Sequence, residues 1–411
     1  MSTRNIIYYL LIFIISFTLV SCGSCMATQS SDSDDESSQL ENDDDDDDDD
    51  DGDADADPNV NSPSSTPLSV SLGNDHACAL FKNGDVYCWG ENTDNELGAG
   101  SGEYASFPLQ ADVEDVEQIA VGIEFACALI DDGTVKCWGD NEYGQLGDGS
   151  EDNPGRVVTV EGIDDAIQIS AGSAHACALL SDESVKCWGL GKEGRLGNGS
   201  SSNALEADSV SGLEGIEQVS AGTKHTCAVS NDGDVYCWGY NGYYSVQPGG
   251  DSEYEEPVKV DGVSGATMVA AGYHHSCALI EGGTIQCWGE ESDGQLGYGS
   301  SADTDFVVDV EDIDNAVQIF TGKNHSCALL DDDTVSCWGD NEYGQLGNDN
   351  NEDENSPVSV QELENVSAFD SGRNFNCAIE DASVYCWGKA YFSNSSNFGY
   401  ETDQTYTDKP S

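Results

Sequence analysis

Seven pairs of cysteines carry the chain's most regular chemistry: Cys78 and Cys88, Cys127 and Cys137, Cys177 and Cys187, Cys227 and Cys237, Cys277 and Cys287, Cys327 and Cys337, Cys377 and Cys386. A Cys-x9-Cys pair supplies two metal ligands, and the spacing for four is absent. Even pairing, and positions that face each other on neighbouring strands, point to seven disulfides. Each would close a loop of about ten residues and contribute at most ~2–3 kcal/mol. His76, His175, His225, His275 and His325 stand two residues before a cysteine, and Phe125 and Phe375 take that place in the other two repeats. A ring of metal or heme ligands would not tolerate Phe, so these histidines read as structural, and neither metal nor cofactor is expected. Carboxylates are too numerous to single out a catalytic pair. Asp131-Asp132-Gly133 and Asp331-Asp332-Asp333 fall at hairpin turns, where Asp is a turn former. No nucleophile with a placed base, phosphate loop or dinucleotide fingerprint is present, so the chain does not read as an enzyme.

The elements that position the cysteines are hairpins. His76, Cys78 and Leu80 alternate with Ala77 and Ala79, and Asn83-Gly84 marks the turn. The register that sets Cys78 opposite Cys88 sets Leu80 opposite Val86 and Ala77 opposite Trp89. A small residue thus faces a large one, and the Ala77 place is held by Ala126, Ala176, Thr226, Ser276, Ser326 and Asn376 in the other repeats. In the last repeat the cysteines are nine apart, so the connection shrinks to Asp381-Ala382, a pair not favoured in hairpins.

Each second cysteine precedes Trp-Gly, and each first cysteine follows a glycine by five residues: Gly73, Gly122, Gly172, Gly222, Gly272, Gly322 and Gly372. A polar loop and a glycine-rich signal come next, as in Gly144-Gln145-Leu146-Gly147. Two short β-rich pieces follow, such as Val157–Val160 and Ala166–Ala171. Four strands per repeat is the content of a propeller blade. Gly-x-x-His-x-Cys-Ala-Leu, then Asp-Gly-x-Val-x-Cys-Trp-Gly-x-Asn, then Gly-Gln-Leu-Gly, resembles the repeat of the regulator of chromosome condensation family. The resemblance covers about residues 68–411. It implies an all-β, seven-bladed β-propeller of four-stranded blades, the chain ends meeting in a shared blade, and the cysteine pairs add one disulfide per blade. The last repeat stops at Lys409-Pro410-Ser411, where a strand would begin, so one strand is missing or is supplied by Thr405–Ser411 or by the tether that precedes the first repeat. The nucleotide-exchange role of the family's best-known member does not carry over. Its compartment is wrong for an exported chain, and chromatin contact needs basic residues.

The chain holds 79 acidic and 13 basic residues, a formal charge of −66. Residues 31–57 hold 17 acids and no Lys or Arg, leaving −49 on the rest. That balance excludes nucleic acid as a partner and repels an anionic membrane. It suggests a saline habitat. Arg4 followed by the apolar run Ile6–Val20 reads as an export signal. It ends in Leu19-Val20-Ser21-Cys22, which resembles the lipobox of bacterial lipoproteins. The domain reading is therefore a signal peptide over 1–21, a lipidated Cys22 opening a disordered acidic tether over 22–66, and the propeller over 67–411. Plain secretion is the alternative. Lipidation of Cys22 would leave Cys25 unpaired. Asp47-x-Asp49-x-Asp51-Gly52 imitates the start of a calcium loop, but Pro58 stands where the closing acid belongs.

Binding sites are expected where loops depart from the repeat. After Trp238-Gly239 the fourth repeat reads Tyr240-Asn241-Gly242-Tyr243-Tyr244-Ser245-Val246-Gln247-Pro248, and the last repeat carries Tyr391-Phe392. Tyr240, Tyr243, Tyr244, Tyr391 and Phe392 are the candidate ligand-binding residues, because Tyr offers contact area at low entropic cost. The alternative is that these aromatics fill gaps in the packing. The leading expectation is a monomeric, non-enzymatic module on the bacterial outer membrane, held to it only by lipid and recognising a protein or glycan. Its rivals are a secreted inhibitor of an extracellular or periplasmic enzyme and a structural envelope component.

Overall fold

A computed structural model describes residues 63, 65–100, 102–302 and 304–389. The signal segment, Cys22, nearly all of the tether, Tyr391 and Phe392 lie outside the described residues. The repeats form a seven-bladed propeller. In the first blade, β1 (Pro67–Leu72), β2 (His76–Phe81), β3 (Val86–Glu91) and β4 (Tyr104–Gln110) pair in that order as one antiparallel sheet. Five further blades repeat it. The seventh has three described strands, Val366–Ser371, Phe375–Glu380 and Ser383–Gly388. The first blade draws all four strands from one stretch of chain, so a blade shared by both chain ends cannot be the first.

The register is the one the cysteines imply: Leu80 faces Val86, Cys78 faces Cys88 and Ala77 faces Trp89. All seven pairs stand at bonding distance, with S–S separations from 2.01 to 2.17 Å. At the shortened hairpin, Glu380 pairs with Ser383, and Asp381 and Ala382 take φ of 49° and 65°. Two left-handed residues match the twist of a two-residue hairpin, so Ala382 occupies a conformation normally left to Gly or Asn. The outer strands are less regular than the sequence suggests: Val157–Val160 contributes only Val158–Thr159.

Both faces of each hairpin are buried, because a blade lies between two neighbours. Alternation along the strand decides which neighbour is met. Cys78 and Leu80 pack with Ile119 and Trp138 of the second blade. Ala77, Ala79, Phe81 and Trp89 pack with Phe375, Cys377 and Ile379 of the seventh. Seven such clusters, one per blade junction, make up the core. The disulfides lie inside blades, so hydrogen bonds and these clusters hold blade to blade.

Candidate functional site

The seven glycines that open the repeats form a ring at one end of the axial channel. A β-carbon on Gly222 would stand 2.5 Å from the Gly272 carbonyl oxygen, and one on Gly372 would stand 3.0 Å from that of Gly73. The backbones of adjacent blades meet here more closely than a side chain allows, which is why the sequence keeps glycine. The next residue of each repeat therefore rims the mouth: Asn74, Ile123, Ser173, Thr223, Tyr273, Lys323 and Arg373. They surround a cavity of about 290 Å³.

The loop after each Trp-Gly opens on the same face. A buried side chain organises it: Asn141 Oδ1 accepts the Leu146 N–H at 3.0 Å, and Asn341 Oδ1 accepts that of Leu346 at 2.9 Å. The carbonyl four residues on from this Asn then accepts the next blade's indole, as in Trp188 Nε1 to Gln145 O at 2.9 Å. The fourth blade keeps this frame although its sequence departs. Asn241 Oδ1 takes the Val246 N–H at 2.9 Å, and Ser245 O accepts Trp288 Nε1 at 2.8 Å. With the backbone held, the changed residues are free to face outward.

They meet residues of the fifth blade. Tyr243 stacks on His274 with centroids 4.2 Å apart, and Tyr240 lies 6.2 Å from Tyr243 and 6.1 Å from His274. Tyr273 stands edge-on to His274 at 4.3 Å. Lys224 lies over Tyr240 at 5.0 Å and over Tyr273 at 5.8 Å, within cation–π range. His274 Nδ1 is 3.0 Å from Glu290 Oε2. Burial first, then Tyr243, Glu193 and Glu290, push the Tyr240 phenol up, so it stays a neutral donor. Tyr243 is exposed, while Tyr240 and Tyr273 are partly so.

Of the three tyrosines expected to act together, Tyr240 and Tyr243 do. Tyr244 makes none of the patch's ring contacts. It stands where other repeats have the left-handed Gly144 or Gly294, and takes φ of 64° itself. Tyr243 has counterparts in Tyr143 and Tyr343, so Tyr240, in the place of Asp140 and Asp340, is the more distinctive change. Lys224, Tyr273, His274 and Glu290 were not picked out from sequence. The available signal was that Tyr273 and His274 directly follow the ring glycine of the neighbouring repeat.

The same face is acidic over the first two blades. Burial first, then Asp140, Asp94, Glu91 and Asp75, push the Glu124 carboxyl up. Burial likewise lifts Glu96 to about 6 although it accepts the Asp94 N–H at 2.9 Å. Among the described residues no cluster of three or more His, Cys, Asp or Glu is placed to hold a metal ion.

The recurrent histidines are buried and point between blades. His225 Nε2 lies 2.8 Å from Ser276 Oγ, and Ser276 Oγ donates to Ser245 O at 2.9 Å. The hydroxyl proton is thus committed, and Nε2–H must be the donor. His175 with Thr226, His275 with Ser326 and His325 with Asn376 repeat the contact at 2.9 Å. Desolvation pushes these imidazoles down, to about 3 in His225 and His275 and about 4 in His76 and His325, so they are neutral; His175, His225, His275 and His325 act as inter-blade struts, whereas His76 Nε2 is buried without a hydrogen-bond partner.

A family model described as RCC1-like domain matches residues 18–314, and RCC1 repeats match residues 316–345 and 332–379. Among solved structures, human WBSCR16 is 22% identical with a TM-score of 0.71, covering 78% of this chain and 88% of that one. Prp20p from Saccharomyces cerevisiae is 22% identical with a TM-score of 0.69, covering 80% and 86%. The CRINKLY WD40 ectodomain of the Arabidopsis thaliana receptor kinase ACR4 is 19% identical with a TM-score of 0.50, covering 79% and 96%. No curated protein matches the sequence. The chain is thus a member of the RCC1-like domain family.

Proposed function

We propose that the protein is a non-enzymatic binding module that engages a protein partner with the face carrying the axial mouth. The observation that carries this reading is the patch of Tyr240, Tyr243, Tyr273 and His274 with Lys224 against it. The patch spans a blade junction on a fixed backbone, so contact area is offered with little ordering cost. Its tyrosines are a residue type enriched at interface hot spots. The related Prp20p is described by its binding to Gsp1p and histones, which favours a protein as the class of partner. Export and lipidation at Cys22, read from Leu19-Val20-Ser21-Cys22, would display the module on a bacterial envelope.

The test is affinity capture from envelope and growth medium with the oxidised full chain, run beside a Tyr240→Ala/Tyr243→Ala variant of unchanged near-UV circular dichroism. A partner held by wild type and weakened at least about tenfold by the variant supports the reading, since hot-spot truncations typically cost more than ~1 kcal/mol. Equal retention by both proteins removes the patch from the function. Mass spectrometry of the mature N-terminus tests the lipid on Cys22.

A further inference from the structure

In a chain of 79 acidic and 13 basic residues, the axial cavity stands apart in charge. Each blade contributes three lining residues, none of the described ones is a carboxylate, and two are Lys323 and Arg373. They hold the same repeat position in consecutive blades, so they stand side by side at the rim, with Lys323 N donating to Arg373 O at 3.0 Å. Asn74 Oδ1 accepts Arg373 Nη1 at 2.8 Å, which orients the guanidinium without neutralising it. Among the described residues neither cation is ion-paired. Asp75, which does not line the cavity, feels Arg373 and Lys389, yet burial outweighs both and raises its carboxyl.

The residue before each ring glycine also lines the cavity: Leu72, Val121, Ala171, Ala221 and Ala271 in five blades, and Thr321 and Ser371 in the two that carry the cations. The five apolar positions opposite the cations help to focus their field into the mouth, and the two polar ones sit beside them. A guanidinium and an ammonium from adjacent rim positions offer donors and charge for the two oxygens of a carboxylate. About 290 Å³ is at the lower limit of small-molecule sites, which start near ~300 Å³, so the space suits one compact anionic group.

The geometry points to an oxyanion socket: Lys323 and Arg373 at the axial mouth take a carboxylate, borne by an acidic side chain of a protein or by a small free acid. The socket stands on its own observations, and only the protein-borne source rests on the binding reading above. Tyr273, which belongs to both, makes the socket continuous with the aromatic patch.

The test is calorimetric titration of the oxidised full chain with citrate and with a hexaglutamate peptide, at low and high NaCl. The proteins are wild type, Lys323→Gln/Arg373→Gln, and Lys82→Gln at an exposed hairpin turn. Both socket side chains lie at the rim, and near-UV circular dichroism checks that the variants are folded. The socket predicts saturable binding of at least one probe at low salt, weakened at least about tenfold in the double variant and unchanged in Lys82→Gln. Citrate binding shows that a free acid suffices, and binding of hexaglutamate alone assigns the site to acidic segments of proteins. No saturable binding of either probe at low salt, or equal affinity in the double variant, overturns the socket. Capture of a Tyr240/Tyr243-dependent partner without probe binding would leave the module standing and remove the socket. Probe binding without such a partner would do the reverse.

Discussion

Asp370 Oδ2 accepts the backbone N–H of Leu72 at 2.8 Å, joining the last blade's inner strand to the first across 298 residues of chain. Serines do this work elsewhere: Ser170 Oγ accepts Ala221 N at 2.9 Å, and Ser220 Oγ accepts Ala271 N at 3.0 Å. The closing blade uses a carboxyl where others use a hydroxyl. Asp370→Ala leaves a backbone donor unpaired at the closure and should lower stability by about 1–3 kcal/mol in urea titrations. Burial, acting against hydrogen bonds from Leu72 and Ser371, pushes the Asp370 carboxyl up from 3.8 to about 7. The folded state then holds a proton that the unfolded state has released between those values. Its contribution to stability is therefore present below about pH 4 and is lost as pH rises to 7. Asp370→Ser should remove that part of the pH slope. An unchanged slope would show that the closure carboxyl does not titrate in this window.

The His225–Ser276 strut should behave as a coupled pair. Ser276→Ala strands the Nε2–H of His225 and should cost about 1–3 kcal/mol. His225→Phe together with Ser276→Ala copies a natural junction, where Phe125 packs with Ala176 in one core cluster. The double variant should recover part of the loss, and a double-mutant cycle should give a coupling of at least about 0.5 kcal/mol. Additive single losses would contradict the strut.

The buried histidines give stability an acid limit. Their folded-state values, about 3 in His225 and His275 and about 4 in His325, lie below the ordinary 6.5. The unfolded chain therefore takes up protons first, so this contribution is complete above pH 6.5 and is lost as pH falls to about 4 for His325 and about 3 for His225 and His275. Relative to the His225→Phe/Ser276→Ala variant, wild type should lose up to about 1.4 kcal/mol per pH unit across that range. A difference that does not move with pH would mean the imidazole is charged or solvated in the fold. Asp370 and Glu96, lifted to about 7 and about 6, slope the other way, so the variant difference is the informative quantity.

Replacing one cysteine pair, Cys227→Ser/Cys237→Ser, should lower stability by at most about 2–3 kcal/mol, because each bridge closes a short loop. Its blade should remain docked, since Trp238 still donates to Arg195 O at 2.9 Å and the cluster shared with the third blade keeps all its members. Hydrogen exchange localised to that blade would support this. Global loss of protection would show that the bridge also secures the ring.

The hairpin register, the cysteine pairing and the short Asp381-Ala382 turn were readable because they depend on residues within ten positions of one another. The small residues opposite tryptophan were read only in part. Ala77 does face Trp89, but the hydroxyls of Thr226, Ser276 and Ser326 also receive a histidine from the preceding blade, some 50 residues earlier. The pattern was only partly in the sequence, since Phe125 goes with Ala176 and His225 with Ser276 but His76 goes with Ala126, and nothing local links those positions. Tyr240 and Tyr243 stood out by departing from the repeat. Tyr244 stood out for the same reason and lies apart from the patch, because departure from a pattern does not say which way a side chain turns.

By itself the sequence determined the blade and its number of copies: period-two burial, a turn residue and a cysteine pair are local instructions, and repetition multiplies them. The tertiary structure decided everything that depends on curvature. Bending the blades into a ring brings Gly372 against Gly73, gathers one residue from each repeat around the axial mouth, and sets Lys323 beside Arg373 and Tyr243 on His274. Those neighbours lie 30 to 300 residues apart in the chain, and only the packing of one blade on the next makes them a surface.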